Sequence, residues 1–255
     1  MTARWPAGNS ARGAWRSRWR SWRPSNRRCL FQALCRASRR WSRPAPTREP
    51  VDPVRFLANH SSGKQGYAIA EALARAGAQT TLISGPVGLA PPQGVKLQRV
   101  TTAREMLAAC EAALPADVLV MAAAVADWRP DIAANSKIKK STDRVVPLIK
   151  LVENPDILAS IAQGSRRPRL LIGFAAETEN LVDNAVAKRR SKGADWIVAN
   201  DVWPGTGAMG GDHTQVHLVT EAGVEDWPPL SKDETATRLL ARAAQALTAM
   251  RSAAE

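Results

Sequence analysis

The sequence predicts an α/β protein on a doubly wound, mostly parallel, Rossmann-like sheet with a small β-hairpin extension. Three observations carry that expectation. Strand-like and helix-like stretches alternate from residue 64 onward. Two apolar runs, 117–124 (DVLVMAAA) and 170–175 (LLIGFA), are nearly unbroken, as expected of strands covered on both faces. Glycines stand where the helical stretches should stop.

Taken in order, residues 64–77 (KQGYAIAEALARAG) put Ile69, Leu73 and Ala76 on one helical face and end at Gly77. Residues 79–84 (QTTLIS) form a β-branched run closed by Gly85-Pro86, hence a strand. Residues 102–114 read as a helix with Met106, Leu107 and Cys110 inward, and 117–124 as a core strand. A short helix over 156–163 leads to the strand at 170–175. Residues 179–193 are helical with a basic second half, and 195–199 (DWIVA) form another strand. Residues 215–220 (QVHLVT) alternate and should pair as an edge hairpin with the stretch around Val224. An amphipathic helix over 233–250 closes the chain.

The leading segment is of another kind. The chain of 255 residues has a formal charge of +13, which would ordinarily suggest a nucleic-acid or membrane partner. Residues 1–43 hold twelve arginines and no acid, leaving 24 basic against 23 acidic residues in the remainder. The same segment carries Trp5, Trp15, Trp19, Trp22 and Trp41, with no lysine. Three readings fit it. Arg and Trp together suit an RNA- or membrane-surface arm. Arg-rich, acid-poor text also suits an organelle transit peptide. Finally, Arg, Trp, Ser and Pro without Lys is what a GC-rich gene yields when read out of frame, the reading the composition favours.

Cys29, Cys35 and Cys110 make no disulfide framework, and His60, His213 and His217 have no zinc-ligand spacing. No run approaches the roughly 20 apolar residues of a membrane helix, and the start lacks a secretory apolar core. A cytoplasmic, reducing setting is the expectation.

Ligands of such sheets bind beyond the C-terminal strand ends. The loop Asn59-His60-Ser61-Ser62-Gly63-Lys64-Gln65-Gly66 offers hydroxyls, glycines and a helix N-terminus to an anion. It lacks the Walker A pattern, and a bare helix cap by Ser61 or Ser62 explains it equally. A nicotinamide-dinucleotide reading would want an acid at the end of the next strand, where Ser84 stands. Ala122, Ala123 and Ala124 let a ligand approach the backbone, and Asp127 suits sugar hydroxyls or a metal ion; tight packing with a helix-capping aspartate explains the same stretch. Lys137, Lys139, Lys140 and Lys150 could neutralise a triphosphate. Phe174 could cover a base or simply fill the core. Lys188 and Lys192 are four apart on one helix face. The strand through Asn200 and Asp201 leads into a loop with Gly205, Gly207, Gly210 and Gly211. Together these favour a phosphate-rich nucleotide over a neutral ligand.

The motifs PTREPVDPVRF (46–56), NHSSGKQG (59–66), AAAVADWRP (122–130), KIKK (137–140), NPDI (154–157), GFAAET (173–178) and AND (199–201) occur in an order and spacing that resemble a known family. It is the phosphopantothenate–cysteine ligase (phosphopantothenoylcysteine synthetase) domain of the bacterial bifunctional coenzyme A biosynthesis protein. The resemblance implies a ligase domain over residues 46–250, with residues 1–45 an aberrant, disordered segment. It implies ligation of 4′-phosphopantothenate to L-cysteine with CTP and Mg2+, through an acyl-cytidylate, in a cytoplasmic homodimer. No flavin, membrane or nucleic acid is expected. By motif position, Ala122, Ala123, Asp127, Lys137, Pro155, Asp156, Ile157, Leu158, Phe174, Lys188 and Lys192 would bind the nucleotide. Asn59, His60, Ser61, Gly63, Lys64 and Gly66 would bind the other substrate, with Asn59 and Lys137 catalytic; the metal ligands stay unassigned. The family opens this domain with a hydrophobic strand and a Gly-Pro-Thr turn, whereas this chain has Arg39-Arg40-Trp41-Ser42-Arg43-Pro44-Ala45. The expectation is therefore that the central first strand is missing, which would put the activity of this chain in doubt; Leu30–Leu34 (LFQAL) is the only nearby apolar stretch that could take its place, and the reading disfavours it. A nicotinamide-dependent oxidoreductase and an RNA-binding protein led by the Arg/Trp arm are the other classes considered.

Overall fold

The computed structural model describes residues 28–32, 47–140, 146–203 and 211–253. The rest of the Arg/Trp-rich segment, the end of the lysine loop (141–145), and Gly205, Gly207 and Gly210 lie outside the described residues. The strands are β1 (Arg28–Gln32), β2 (Glu49–Pro50), β3 (Phe56–Leu57), β4 (Gln79–Ser84), β5 (Val95–Arg99), β6 (Val118–Met121), β7 (Trp128–Pro130), β8 (Leu151–Glu153), β9 (Leu170–Glu177), β10 (Trp196–Asp201), β11 (His213–Thr214), β12 (Val216–Thr220), β13 (Gly223–Asp226) and β14 (Leu230–Ser231). The helices are α1 (Lys64–Arg75), α2 (Ala103–Ala113), α3 (Ile157–Gln163), α4 (Leu181–Lys192) and α5 (Lys232–Ser252).

An α/β fold with a mixed central sheet results, in the order β13-β12-β10-β9-β6-β1-β4-β5. Strands β10 to β5 run parallel to their neighbours, while β12 and β13 add an antiparallel edge. The edge hairpin expected from the alternating 215–220 stretch is β12–β13. Strand β6 is buried at every position, as its unbroken apolar text requires. Its side chains alternate between two cores. Val118 and Val120 join α1, α5 and Trp227 on one face. Leu119 and Met121 join α2, α3 and α4 on the other. Cys110 lies in this second core, where burial pushes its thiol up to about 12, consistent with a packing role.

Helix ends follow local chemistry. Thr102 and Ser231 close capping boxes with Glu105 and Glu234 at the starts of α2 and α5. Asp156 caps α3 by accepting from the Ala159 amide at 2.9 Å. Gly193 ends α4 in the left-handed region, where a β-carbon would be strained. The serine cap expected at α1 is corrected. Its N-cap is Gly63 at φ 62, with no side-chain cap, because the Ser61 hydroxyl accepts from the Gly63 amide at 3.2 Å instead.

The expectation of a missing first strand is also corrected. Residues Arg28–Gln32 occupy the central position, parallel to both β4 and β6. The physical reason is the pairing requirement: β4 and β6 each present unsatisfied backbone groups to this gap, and an extended segment between them satisfies both edges. Assigning all of residues 1–45 to disorder therefore fails for these five residues.

Candidate functional site

Because β1, β4, β6, β9 and β10 are parallel, their C-terminal ends share one edge. Register sets what meets there: Met121 pairs with Gly173, Ala176 with Asn200, and Glu177 with Asp201. Beyond these ends lies a cleft of two lobes. The first, about 420 Å³, is lined by the loop after β6, by residues 153–158, and by Phe174, Lys188 and Lys192. The second, about 330 Å³, runs from the loop at residues 59–66 across Ala122–Ala124 to Asn200, Thr214 and Lys232. Ala123, Val125, Asp127, Phe174 and Lys188 line both lobes and form their junction.

The wall carrying Asp127 is held from three directions. The buried Thr47 hydroxyl accepts from the Ala126 amide at 3.2 Å. The Asn154 side chain donates to the Ala126 carbonyl at 2.8 Å, and its backbone amide donates to the Asp127 carbonyl at 2.8 Å. Opposite, the Asn59 side-chain amide donates to the Val125 carbonyl at 2.9 Å, tying the glycine loop to this wall. Glu49, 1% exposed, accepts from the Ala103 amide at 3.0 Å and so fixes α2 to the same segment. Residues Thr47, Glu49 and Asn154 were present in the quoted motifs, but their sequence carried no sign of these roles.

In the first lobe, Lys192 pairs with Asp156 at 2.6 Å. Burial opposes ionisation of Asp156, but the Ala159 amide and then the Lys192 ammonium outweigh it and hold the carboxyl below its ordinary range. A carboxyl so depressed stabilises the fold fully above its unfolded value of 3.8, and this is lost as pH falls through the folded value. Asp156→Asn should therefore unfold at lower denaturant than the parent at pH 7. The two midpoints should converge as pH falls below the folded-state value of Asp156, read by denaturant titration across pH.

Gly173 faces the helix that carries this lobe. A β-carbon there would stand 2.7 Å from Ile197 Cδ1 and 2.8 Å from Leu158 Cδ2, closer than packing allows. Both neighbours are buried, so Gly173→Ala should cost about 1–3 kcal/mol. Because Leu158 lines the first lobe, the same substitution should displace that wall, and the cost is read as a lowered thermal midpoint.

The structure gathers most of the expected residues. Ala123, Asp127, Pro155, Asp156, Ile157, Leu158, Phe174, Lys188 and Lys192 meet in the first lobe. Asn59, His60, Ser61, Gly63, Gly66 and Ala122 meet in the second. Two stand elsewhere. Lys64 pairs with Asp212 at 2.5 Å and lines a neighbouring cavity of about 390 Å³. Lys137 is exposed and lines none of these three cavities. Its loop is anchored by Asp52, which accepts from the Ile138 amide at 3.1 Å, while Arg55 donates to the Ile138 carbonyl. Lys232, 8% exposed at the far end of the second lobe, was not anticipated.

Fold and cleft together define an α/β protein of the kind that holds small polar ligands beyond its strand ends. The chain belongs to the DNA/pantothenate metabolism flavoprotein C-terminal domain family, which matches residues 44–247. It is 46% identical over 197 residues to the Coenzyme A biosynthesis bifunctional protein CoaBC of Escherichia coli K12, covering 76% of this chain and 48% of that protein. Its likeness to the corresponding protein of Mycobacterium bovis is 46% over 170 residues, or 62% of this chain and 40% of the other. The chain thus spans about half the length of the E. coli relative, and less of the M. bovis one. A crystal structure of the CoaBC C-terminal domain superposes with a TM-score of 0.70 at 36% identity, covering 88% of this chain and 96% of that one. A Cab2 mutant in complex with phosphopantothenate-cysteine shares the fold, with a TM-score of 0.68 at 14% identity, covering 97% of each chain. The resemblance carried by the seven sequence motifs is borne out, and strand β1 lies outside the matched stretch.

Proposed function

We propose that this chain joins 4′-phosphopantothenate to L-cysteine at the expense of CTP, as a ligase of coenzyme A biosynthesis. The observation that carries the proposal is the two-lobed cleft whose lobes meet at Asp127, Phe174 and Lys188. A reaction joining an acid to a nucleotide needs such a meeting point, because two large ligands must touch at one phosphorus atom. The same reading treats the sheet as a doubly wound nucleotide fold, supported by the reversal of strand order beside β1.

In this reading CTP fills the first lobe, with Phe174 against the base and Lys188 and Lys192 on the phosphates. The pantothenate end fills the second lobe. A carboxylate oxygen of phosphopantothenate attacks the α-phosphorus of CTP; the bond to the β-phosphate oxygen breaks and pyrophosphate leaves. The cysteine amine then attacks the acyl carbon, loses a proton, and expels CMP, which keeps the attacking carboxylate oxygen. Asn59, fixed by its bond to Val125, would donate its other amide hydrogen to the oxygen on which charge develops. Lys137 would act only after its loop moves toward the nucleotide.

Magnesium fits as an ion carried in on the triphosphate. Among the described residues no cluster of three His, Cys, Asp or Glu forms a cage; Mg2+ commonly takes one or two carboxylates, several waters and the phosphates. Asp127, exposed at the junction, would be its carboxylate, and the ion would offset triphosphate charge when bound. A homodimer is supported by the apolar surface around the β7–β8 ribbon, where Trp128 is 57% and Leu148 97% exposed. A cytoplasmic setting belongs to the same reading. The test is a product assay on the whole chain: CMP and pyrophosphate should appear in equal amounts only when CTP, phosphopantothenate and cysteine are all present. A chain that turns over CTP with none of this dependence, or not at all, refutes the proposal.

A further inference from the structure

We infer that Asn154 is a positioning residue: it fixes the backbone of Asp127, and so decides how firmly the site holds the divalent ion that rides on the nucleotide. This rests on the ligase reading and on Asp127 as the carboxylate for that ion, and names the residue that prepares it. Residues 122–127 leave the sheet beyond β6 and belong to no strand or helix. Backbone groups of such a stretch have no ladder, so side chains must satisfy them or leave them to water. Here consecutive peptide groups are each gripped from outside. Between Val125 and Ala126, the carbonyl accepts from the Asn59 side-chain amide at 2.9 Å and the N–H donates to the Thr47 hydroxyl at 3.2 Å. Between Ala126 and Asp127, the carbonyl accepts from Asn154 Nδ2 at 2.8 Å. Between Asp127 and Trp128, the carbonyl accepts from the Asn154 backbone amide at 2.8 Å. Asn154 thus holds both peptide groups that flank the Asp127 α-carbon.

The side chain of Asn154 is itself oriented. Arg129 donates to the Glu153 carbonyl and, at 3.4 Å, to Asn154 Oδ1, which leaves Nδ2 turned toward Ala126. Pairing of Trp128 with Glu153 in the β7–β8 ribbon brings Arg129 and Asn154 side by side. The Asp127 side chain, by contrast, is exposed at the junction of the two lobes. A carboxylate on a pinned backbone has only its own side-chain torsions left to set, and Mg2+ tolerates little departure from octahedral geometry. Groups that hold a metal's ligand in place without touching the metal commonly change metal affinity by roughly 10- to 100-fold when lost.

The test is calorimetric titration of CTP into the whole chain, with Mg2+ and with EDTA, for the parent, Asn154→Leu, Asp127→Asn and the double variant. Leucine keeps the branching of asparagine but has no donor. Mg2+ should strengthen CTP binding by the parent, and Asn154→Leu should cut that gain roughly 10-fold. Metal-free CTP binding and phosphopantothenate binding should stay as in the parent. Added to Asp127→Asn, the change should cost nothing further, because both remove the same interaction. A full Mg2+ gain in Asn154→Leu overturns the role of Asn154, as does an additive double variant. An equal loss of CTP affinity with and without Mg2+ also overturns it, since that marks a direct contact or a looser lobe. If Asn154→Leu does not fold, Thr47→Val loosens the same stretch from its other side and should lower the Mg2+ gain, whereas Thr47→Ser, which keeps the hydroxyl, should not. A full gain in Thr47→Val then overturns the pinning. A parent that binds CTP equally with and without Mg2+ removes the ion from Asp127 and this inference with it, leaving the ligase reading to its product assay; a parent that binds no CTP sinks both.

Discussion

Replacing Phe31 by proline should destabilise the fold by about 3 kcal/mol or more, enough to erase much of an ordinary domain's stability. The argument is one of backbone alone. Phe31 lies opposite Leu82 on one side and Val120 on the other, at the centre of the sheet. Every amide on such a strand belongs to one ladder or the other, so proline removes a bond and sets its ring against a neighbour. The loss would also reach the site, because Gln32 pairs with Met121, which lines the first lobe. Denaturant unfolding of the full chain, followed by far-UV circular dichroism, should show the transition shifted to much lower denaturant or lost. A transition identical to the parent's would mean that these residues do not form the central strand.

The second large effect concerns catalysis. Asn59→Ala should lower kcat by roughly 10²- to 10³-fold, the usual cost of removing one donor to a developing oxyanion. CTP affinity should hardly change, since Asn59 lines only the second lobe. The substitution also removes the bond to the Val125 carbonyl, so the control is the thermal midpoint with saturating CTP. Single-turnover kinetics beside CTP calorimetry would separate the two. A loss confined to CTP binding would remove Asn59 from its catalytic role.

The parts of the fold legible in the sequence are those whose signal is local. Strand β6 is buried at all four positions and announces itself by an unbroken apolar run. Helices α2 and α5 carry their capping boxes in plain text. Strand β5 carries no local signal because its text, VKLQR, is short, mostly exposed and interrupted by two charges. Strand β1 overlaps the apolar stretch Leu30–Leu34, which its Arg-rich surroundings argued against; its two partners, far along the chain, give it a place.

The candidate site divides in the same way. Residue types at motif positions brought Asp127, Phe174, Lys188 and Lys192 together correctly as neighbours in one lobe. Direction was not legible. Lys64 sits within the glycine loop, but its partner Asp212 is 148 residues away and turns it toward another cavity. Thr47 and Glu49 act on amides 79 and 54 residues distant, a reach that no local pattern encodes. Lys232 begins a helix like any other lysine until the fold buries it.

The most direct test of the ligase account follows oxygen. Phosphopantothenate carrying 18O in both carboxylate positions is given to the whole chain with CTP and cysteine, and the CMP is weighed by mass spectrometry. Attack by the carboxylate on the α-phosphorus predicts one 18O in each CMP, none in pyrophosphate, and one retained in the amide carbonyl of the product. Unlabelled CMP, or label in pyrophosphate, would contradict the account.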